Sequence, residues 1–330
     1  FEAYDAQGNV VAGAGFVGAY NTQPRSDRAR LHFFLKPKRA WHDVQTLPRI
    51  ANNQTGVYLS ELKHRLHAQT RNGRDGRCFA FDAVQNRWAV DESARFFDIE
   101  VEGKSLHVGD RDVVYDGRSV LTLDPKNPEL RLRENYYAAG QMVLRVQAAD
   151  ASDTSNRLVA CPWSPDAPSS RIDLAACSSL ALRSHREFVY AFGQLGREVV
   201  AATNTGGVYV LGNDGWRVLV EPGPHSYQVY SMLNYYDRLL LGHYPTGELY
   251  EYDGQALRHL PNWPPVMLGV SKRAREAQTM TLYGGDLYVG VWPWGEVWRY
   301  DRNESRWDFV RRMFTHPQLT DDVVHPYETE

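Results

Sequence analysis

The sequence of 330 residues lacks the features that would assign it to a membrane, to a nucleic acid or to a familiar catalytic class. No stretch approaches the roughly 18 consecutive apolar residues of a membrane-spanning helix. The formal net charge is −3, whereas nucleic-acid-binding domains usually carry a basic excess. There is no phosphate-binding glycine loop, no dinucleotide fingerprint and no G-x-S-x-G motif. We therefore expect neither a membrane nor a nucleic acid as partner.

Cysteine is also scarce. The three cysteines, Cys78, Cys161 and Cys177, are far apart and form no C-x-x-C pair. Because their number is odd, one thiol stays unpaired even if the other two are bridged. The chain does not begin with Met and carries no secretion signal, which indicates a processed chain or a fragment. The compartment is therefore open, although a periplasmic or extracellular location would suit a protein that acts on glycans.

What the sequence does contain is a motif repeated around a turn glycine. The three copies are NTGGVY at 204–209, PTGELY at 245–250 and PWGEVW at 293–298, and their glycines are 41 and 48 residues apart. An apolar run precedes each copy and an alternating segment follows it, so one unit reads as four short strands, A to D. A period of about 40–50 residues is typical of β-propeller blades. The glycine suits the B–C turn because a side chain would penalise its backbone conformation.

The sequence thus predicts an all-β fold, a β-propeller of about six to seven four-stranded blades, as a single domain over residues 1–330. The clearest blades cover 186–220, 227–260 and 276–312, and weaker ones cover 57–93, 97–132 and 134–175. Residues 1–45 contain strand candidates that would add a blade or close the ring. The alternative is a β-sandwich followed by a β-rich tail.

From about residue 55 to residue 312 the repeat resembles the β-propeller superfamily of the kelch and sialidase-like kind. The resemblance concerns the fold only. The kelch Gly-Gly doublet does not recur from blade to blade, and the sialidase pattern S-x-D-x-G-x-T-W is absent. The resemblance therefore implies no catalytic residue.

In a propeller blade the B–C turns and the D-to-A connections emerge on the same face, where ligand sites of this fold usually lie. On this face the sequence places aromatic, basic, histidine and carboxylate side chains: His185, Glu187, Asn204, His225, Tyr227, His243, Tyr244, Arg273, Arg275, Glu276, Trp292 and Trp294. Aromatic rings stack on sugars, arginine pairs with acidic groups, and histidine or tyrosine can transfer protons. The mixture predicts a protein that binds or acts on an acidic polysaccharide.

Whether the protein is an enzyme stays open. A lyase would use Arg275 or Arg273 to neutralise a uronate, with a base and a proton donor drawn from His225, His243, Tyr227 and Tyr244. A hydrolase would need two carboxylates, and the face offers Glu187 and Glu276. Ligand binding would fall to His185, Asn204, Arg273, Trp292 and Trp294. The alternative function is a non-catalytic scaffold that binds protein through an exposed apolar patch.

We expect no cofactor and no metal site. The one segment that resembles an oxygen-rich calcium loop contains Asp150, Asp153 and Asn156, but it lacks the glycine and glutamate that would complete such a loop.

Overall fold

The structure is a computed structural model with side chains. It describes residues 2–4, 10–14, 30–35, 40–46, 56–62, 65–72, 75–85, 87–95, 98–149, 155–167, 171–223, 228–268, 275–293 and 295–312. Contacts divide the chain into two compact units. Unit 1 comprises Phe1–Asp124 and Pro165–Arg171, and unit 2 comprises Pro125–Ser164 and Ile172–Glu330.

The strands of unit 1 form three four-stranded antiparallel sheets in chain order. Their bounds are β1 Glu2–Tyr4, β2 Val10–Ala14, β3 Arg30–Leu35, β4 Ala40–Thr46, β5 Gly56–Leu62, β6 Arg65–Asn72, β7 Asp75–Asp82, β8 Arg87–Val90, β9 Ile99–Val101, β10 Lys104–Val108, β11 Asp112–Tyr115 and β12 Arg118–Thr122.

Unit 2 contains four more sheets of the same kind, again with strands paired in chain order. Their bounds are β13 Leu130–Ala138, β14 Gln141–Ala148, β15 Arg157–Pro162, β16 Ser178–Ala181, β17 Val189–Leu195, β18 Glu198–Thr203, β19 Val208–Gly212, β20 Gly215–Val220, β21 Gln228–Tyr235, β22 Arg238–Tyr244, β23 Leu249–Tyr252, β24 Leu257–Leu260, β25 Glu276–Tyr283, β26 Asp286–Trp292, β27 Glu296–Asp301 and β28 Arg306–Arg312.

The all-β propeller fold predicted from the repeat is confirmed, since every sheet has the four-stranded, antiparallel order of a propeller blade. The described residues form seven such sheets, within the predicted range of six to seven. A single turn of 3-10 helix, Leu174–Ala176, lies between β15 and β16. The weak unit predicted at 134–175 extends further at both ends, because its first strand begins at Leu130 and its fourth strand lies beyond the 3-10 turn.

Within unit 2, successive sheets bury apolar side chains against each other. Val200 and Val210 of one sheet contact Leu239 and Leu241 of the next, and Leu240 in turn shares a cluster with Val289 and Trp298. Each fully buried aliphatic side chain contributes roughly 1.5–3 kcal/mol by removing apolar surface from water. The alternating apolar pattern of the repeat therefore fixes which faces of neighbouring sheets meet.

No helix among the described residues is long and apolar enough to cross a membrane.

Candidate functional site

The first strands of three successive sheets share a β-bulge near their start. The pairing of β17 with β18 skips Tyr190, that of β21 with β22 skips Tyr230, and that of β25 with β26 skips Gln278. A bulge breaks the regular alternation and re-aims the side chain of the extra residue. The repeat therefore presents two tyrosines and a glutamine at equivalent positions.

These bulges bring aromatic rings into a continuous row. The ring centroids of Phe188 and Tyr190 lie 5.1 Å apart, and those of Tyr190 and Tyr230 lie 5.0 Å apart. The ring of Tyr244 continues the row at 6.5 Å from Tyr230. All four rings are partly exposed. We call this row, together with Gln228 and Glu276, the tyrosine surface.

Polar groups lie directly beside the rings. The hydroxyl of Tyr230 hydrogen-bonds both Gln228 and Glu276. Glu276 is only 3% exposed, and burial raises its pKa from 4.5 to about 7, partly opposed by the hydrogen bond from Tyr230. When Glu276 is neutral it can donate to the oxygen of Tyr230 while Tyr230 donates to Gln228.

The B–C turns meet the D-to-A connections on this side of the sheets, as the sequence predicts. The backbone N–H of Arg275, which precedes β25, donates to the carbonyl of Pro245 in the turn of the preceding sheet at 2.9 Å. Asn204 makes the equivalent link in its own sheet. Its side-chain oxygen accepts from the N–H of Phe188 at 2.9 Å, and its amide donates to the carbonyl of Arg186 at 3.1 Å. Asn204 thus holds the start of the ring row in place.

Glu187, proposed as a hydrolase carboxylate, is 1% exposed and fully engaged inside the protein. One carboxylate oxygen accepts from Thr203 Oγ1 at 2.8 Å and from the Tyr209 hydroxyl at 2.7 Å. The other accepts from the backbone N–H of Arg183 at 2.8 Å. Such a carboxylate stabilises the turn between β18 and β19, and it offers no free oxygen to a ligand.

Arg275, proposed to neutralise a uronate, is fully buried. Its guanidinium donates to Glu296 at 3.1 Å and to the carbonyls of Thr246 and Pro265, each at 3.2 Å. Trp298 Nε1 donates to the same oxygen of Glu296 at 2.7 Å. With no exposed surface, Arg275 cannot contact a sugar acid in this structure, so the lyase arrangement would depend on the other predicted cation, Arg273, which lies outside the described residues.

His243, proposed as a base, is 8% exposed and lies inside the turn. Its Nδ1 is 3.0 Å from Thr246 Oγ1, and its ring packs edge-on against Tyr250. The pKa of His243 is lowered to about 4, mainly because the ring is buried and to a smaller extent because His259 lies nearby. The imidazole is therefore neutral at pH 7 and is a weak base, which suits a structural role better than proton abstraction.

Other predicted residues have simpler positions. Trp292 pairs with Glu276 in the register of β25 and β26 and is half-buried. His185 is also half-buried, and its carbonyl accepts from the side chain of Gln147. The remaining four predicted residues, His225, Tyr227, Arg273 and Trp294, lie outside the described residues.

Asn156 from the calcium-loop prediction has a different task. It is fully buried, its side-chain oxygen accepts from Arg145 at 3.0 Å, and its amide donates to the carbonyls of Ser184 and Glu187 at 2.6 and 2.8 Å. It therefore fixes the connection that leads into β17. Asp150 and Asp153 lie outside the described residues. Within the part of the chain that the structure describes, no group of three or more His, Cys, Asp and Glu residues could hold a metal ion.

The sequence reasoning did not select Phe188, Tyr190, Gln228 and Tyr230. A signal was present, since Tyr190 and Tyr230 occupy equivalent positions in two aligned repeats. The repeat places Tyr190 and Tyr230 on first strands, where a side chain is expected to pack rather than to face a ligand. The bulges that change this depend on pairing with the next strand.

Comparison with solved structures shows the fold and little else. A protein from Lactobacillus plantarum is similar over 94% of this chain and 97% of its own, with a TM-score of 0.50 and 10% identity. The computationally designed Ika8 protein is similar over 89% of this chain and 87% of its own, with the same TM-score and identity. The extracellular domain of a putative one-component system from B. thetaiotaomicron gives a TM-score of 0.48 at 12% identity. This chain covers only 34% of that domain.

No family model and no curated protein sequence matches the chain.

Proposed function

We propose that the protein binds carbohydrate at the tyrosine surface. The observation that carries this proposal is the row of four partly exposed rings at centroid spacings of 5.0–6.5 Å. Rings that combine an apolar face with a polar edge suit sugars, which present C–H faces and hydroxyl edges. Binding sites typically pair such apolar rings with a few precisely held polar groups, and Gln228, which accepts from Tyr230 beside the buried Glu276, would take that role here.

An acidic polysaccharide remains the proposed ligand class. Arg186 can supply a positive charge at the edge of the tyrosine surface, because it is exposed and lies two residues before Phe188. An exposed guanidinium can pair with a uronate or sulfate through two parallel hydrogen bonds. This replaces the buried Arg275 as the proposed contact for the acidic group.

The test is binding of a polysaccharide panel, acidic and neutral, by isothermal titration calorimetry. We expect Tyr230→Ala and Tyr190→Ala each to weaken binding about tenfold, because each removes a stacking ring. Tyr283→Ala is the matched control, since Tyr283 is a 61% exposed tyrosine at the far end of β25. The proposal fails if no glycan binds, or if the control variant loses as much affinity as the other two.

Binding without turnover is the version that the geometry supports. Glu276 with a pKa near 7 beside Tyr230 is suited to proton transfer, but glycoside hydrolysis needs a second carboxylate about 5–10 Å away, and Glu187 is fully engaged. Mass spectrometry of the incubated panel tests this directly. Products with an unsaturated uronate or a new reducing end would show turnover and would direct attention to Glu276.

A protein-binding scaffold is the second candidate. It is favoured by β28, the outermost strand of its sheet, where Phe309 and Val310 are 44% and 51% exposed. An open sheet edge with exposed apolar side chains can accept a strand from a partner. If this is the function, Phe309→Ser should abolish capture of the partner and leave any glycan binding unchanged.

A further inference from the structure

A second concave site lies at the opposite end of the sheets from the tyrosine surface. It is a cavity of about 280 Å³ between the sheets β13–β16 and β17–β20, bordered by their A–B and C–D turns. Its polar lining consists of Gln141, Ser178, Arg197 and Asn213. We call it the Arg197 pocket.

The polar side chains of this pocket converge without satisfying one another. Among the described residues, Arg197 and Asn213 are exposed, and Gln141 and Ser178 are half-buried. None of the four side chains has an intramolecular hydrogen bond or ion pair within the described part of the chain. A cavity whose lining offers a small number of polar groups is typical of a binding site.

The pocket carries a positive charge that nothing in its lining offsets. Arg197 is its one charged residue. The adjacent Glu198 is already engaged, because it accepts from the Tyr252 hydroxyl at 2.6 Å and from Arg217 at 3.2 Å. A guanidinium presents a planar fork of N–H donors that matches a carboxylate. The amides of Gln141 and Asn213 and the hydroxyl of Ser178 both donate and accept, which matches the hydroxyl groups of a ligand.

The disulfide between Cys161 and Cys177 fixes one wall of the pocket. Ala160 and Ser178 line the cavity, and each is next in sequence to one of the bridged cysteines. Ala160 and Ser178 also pair directly between β15 and β16. The bridge therefore holds this wall in one arrangement before a ligand arrives, and such pre-organisation favours affinity.

We propose that the Arg197 pocket binds a small hydroxylated carboxylate, such as a sugar acid. The carboxylate pairs with Arg197, and the hydroxyl groups contact Gln141, Ser178 and Asn213. A cavity of this size accommodates one sugar ring rather than a polymer. The site is separate from the tyrosine surface and does not depend on the function proposed for it.

The test is calorimetric titration of the intact protein with glucuronate and gluconate, using glucose and acetate as probes that each lack one half of the ligand. We expect both sugar acids to bind and both half-ligands to bind at least about tenfold more weakly. Arg197→Gln should reduce the affinity for the sugar acids about tenfold or more, as loss of a charge-assisted pair does. Asn213→Ala should give a smaller loss.

Arg87→Gln is the matched control, because Arg87 is an exposed arginine on β8 and its removal changes the net charge equally. Circular dichroism confirms that each variant is folded. Reduction of the disulfide should weaken binding in the wild type. The proposal is overturned if neither sugar acid binds at millimolar concentration, or if Arg197→Gln and Arg87→Gln have the same effect.

Discussion

At the scale of single residues, the repeat uses opposite charges at one equivalent position. Glu187 precedes β17 and is buried beneath the B–C turn of its own sheet, whereas Arg275 precedes β25 and is buried beneath the B–C turn of the preceding sheet. Glu187 is satisfied by hydroxyl and backbone donors, whereas Arg275 is satisfied by Glu296 and by two carbonyls. Both therefore hold the turn in place, and the sign of the charge follows the partners that each sheet supplies.

The Arg275–Glu296 pair gives the first prediction at this scale. Glu296→Gln should destabilise the protein by about 3–5 kcal/mol, because it leaves the guanidinium buried without a counter-charge. The glutamine still offers an oxygen to Trp298, so the effect isolates the charge. Adding Arg275→Met to this variant should recover most of the loss, as measured by the free energy of unfolding in denaturant. Additive losses in the double variant would show that the two side chains are not coupled.

Glu276 gives the second prediction, which concerns pH. Its pKa is about 7 in the folded protein and 4.5 as the reference for the unfolded chain, so between these values the native state binds more protons. The contribution of Glu276 to the free energy of unfolding should be greatest below pH 4.5. It should fall by up to about 3 kcal/mol as the pH rises from 4.5 through 7. Unfolding in denaturant from pH 5 to 8 measures this slope.

Glu276→Gln is the control for that slope, because it keeps the shape and the hydrogen bond to Tyr230 but cannot ionise. The variant should show a flatter dependence of unfolding free energy on pH and should be more stable than the wild type at pH 8. An unchanged slope would mean that other groups determine the pH dependence.

At the scale of strands and turns, the sequence predicts the regular parts of the fold well. The turn glycine and the apolar run before it are local signals, so the sheets β17–β20, β21–β24 and β25–β28 lie where the repeat places them. The bulges at Tyr190, Tyr230 and Gln278 were not predicted, because a bulge is a relation between two paired strands. The burial of Arg275 was missed for a similar reason. Its partner Glu296 is 21 residues away and approaches only through the order of strands in the sheet.

The B–C turn itself gives a prediction for this scale. Gly247 has φ +67°, and a Cβ atom there would lie 2.5 Å from the Cβ of Arg275. Gly254 has φ +92°, with nothing within 4 Å of the same atom. Both alanine substitutions should cost about 1–2 kcal/mol for the left-handed backbone, and Gly247→Ala should cost a further 1–3 kcal/mol, roughly, for the clash. Thermal and denaturant unfolding of the two variants measure the difference, and equal losses would contradict it.

At the scale of the whole molecule, the described sheets place different chemistry at their two ends. In unit 2, the end with the B–C turns carries the tyrosine surface, and the end with the A–B turns carries the Arg197 pocket. Side chains between the two ends are apolar and pack sheet against sheet. A propeller-type sheet can therefore vary its turns at either end without changing the packing that stabilises it.

The three cysteines give the last prediction. Cys161 and Cys177 form a disulfide that closes a loop of 16 residues in sequence separation, whereas Cys78 is buried and free. Burial, with Asp98 and Asp91 nearby, raises the pKa of Cys78 to about 12, so its thiol should not react with iodoacetamide in the native protein. Alkylation and mass spectrometry should find no modified cysteine in the folded chain and one after denaturation without reductant.

Reducing the disulfide should lower the free energy of unfolding by about 3 kcal/mol, because a loop of this length restricts the unfolded chain by that amount. The double variant Cys161→Ala/Cys177→Ser is the control, since its stability should not respond to reductant. Disulfides persist in oxidising compartments, so this result would support the periplasmic or extracellular location that suits a protein acting on glycans. Two further thiols labelled in the untreated, denatured protein would show that the bridge does not form, and would remove that support.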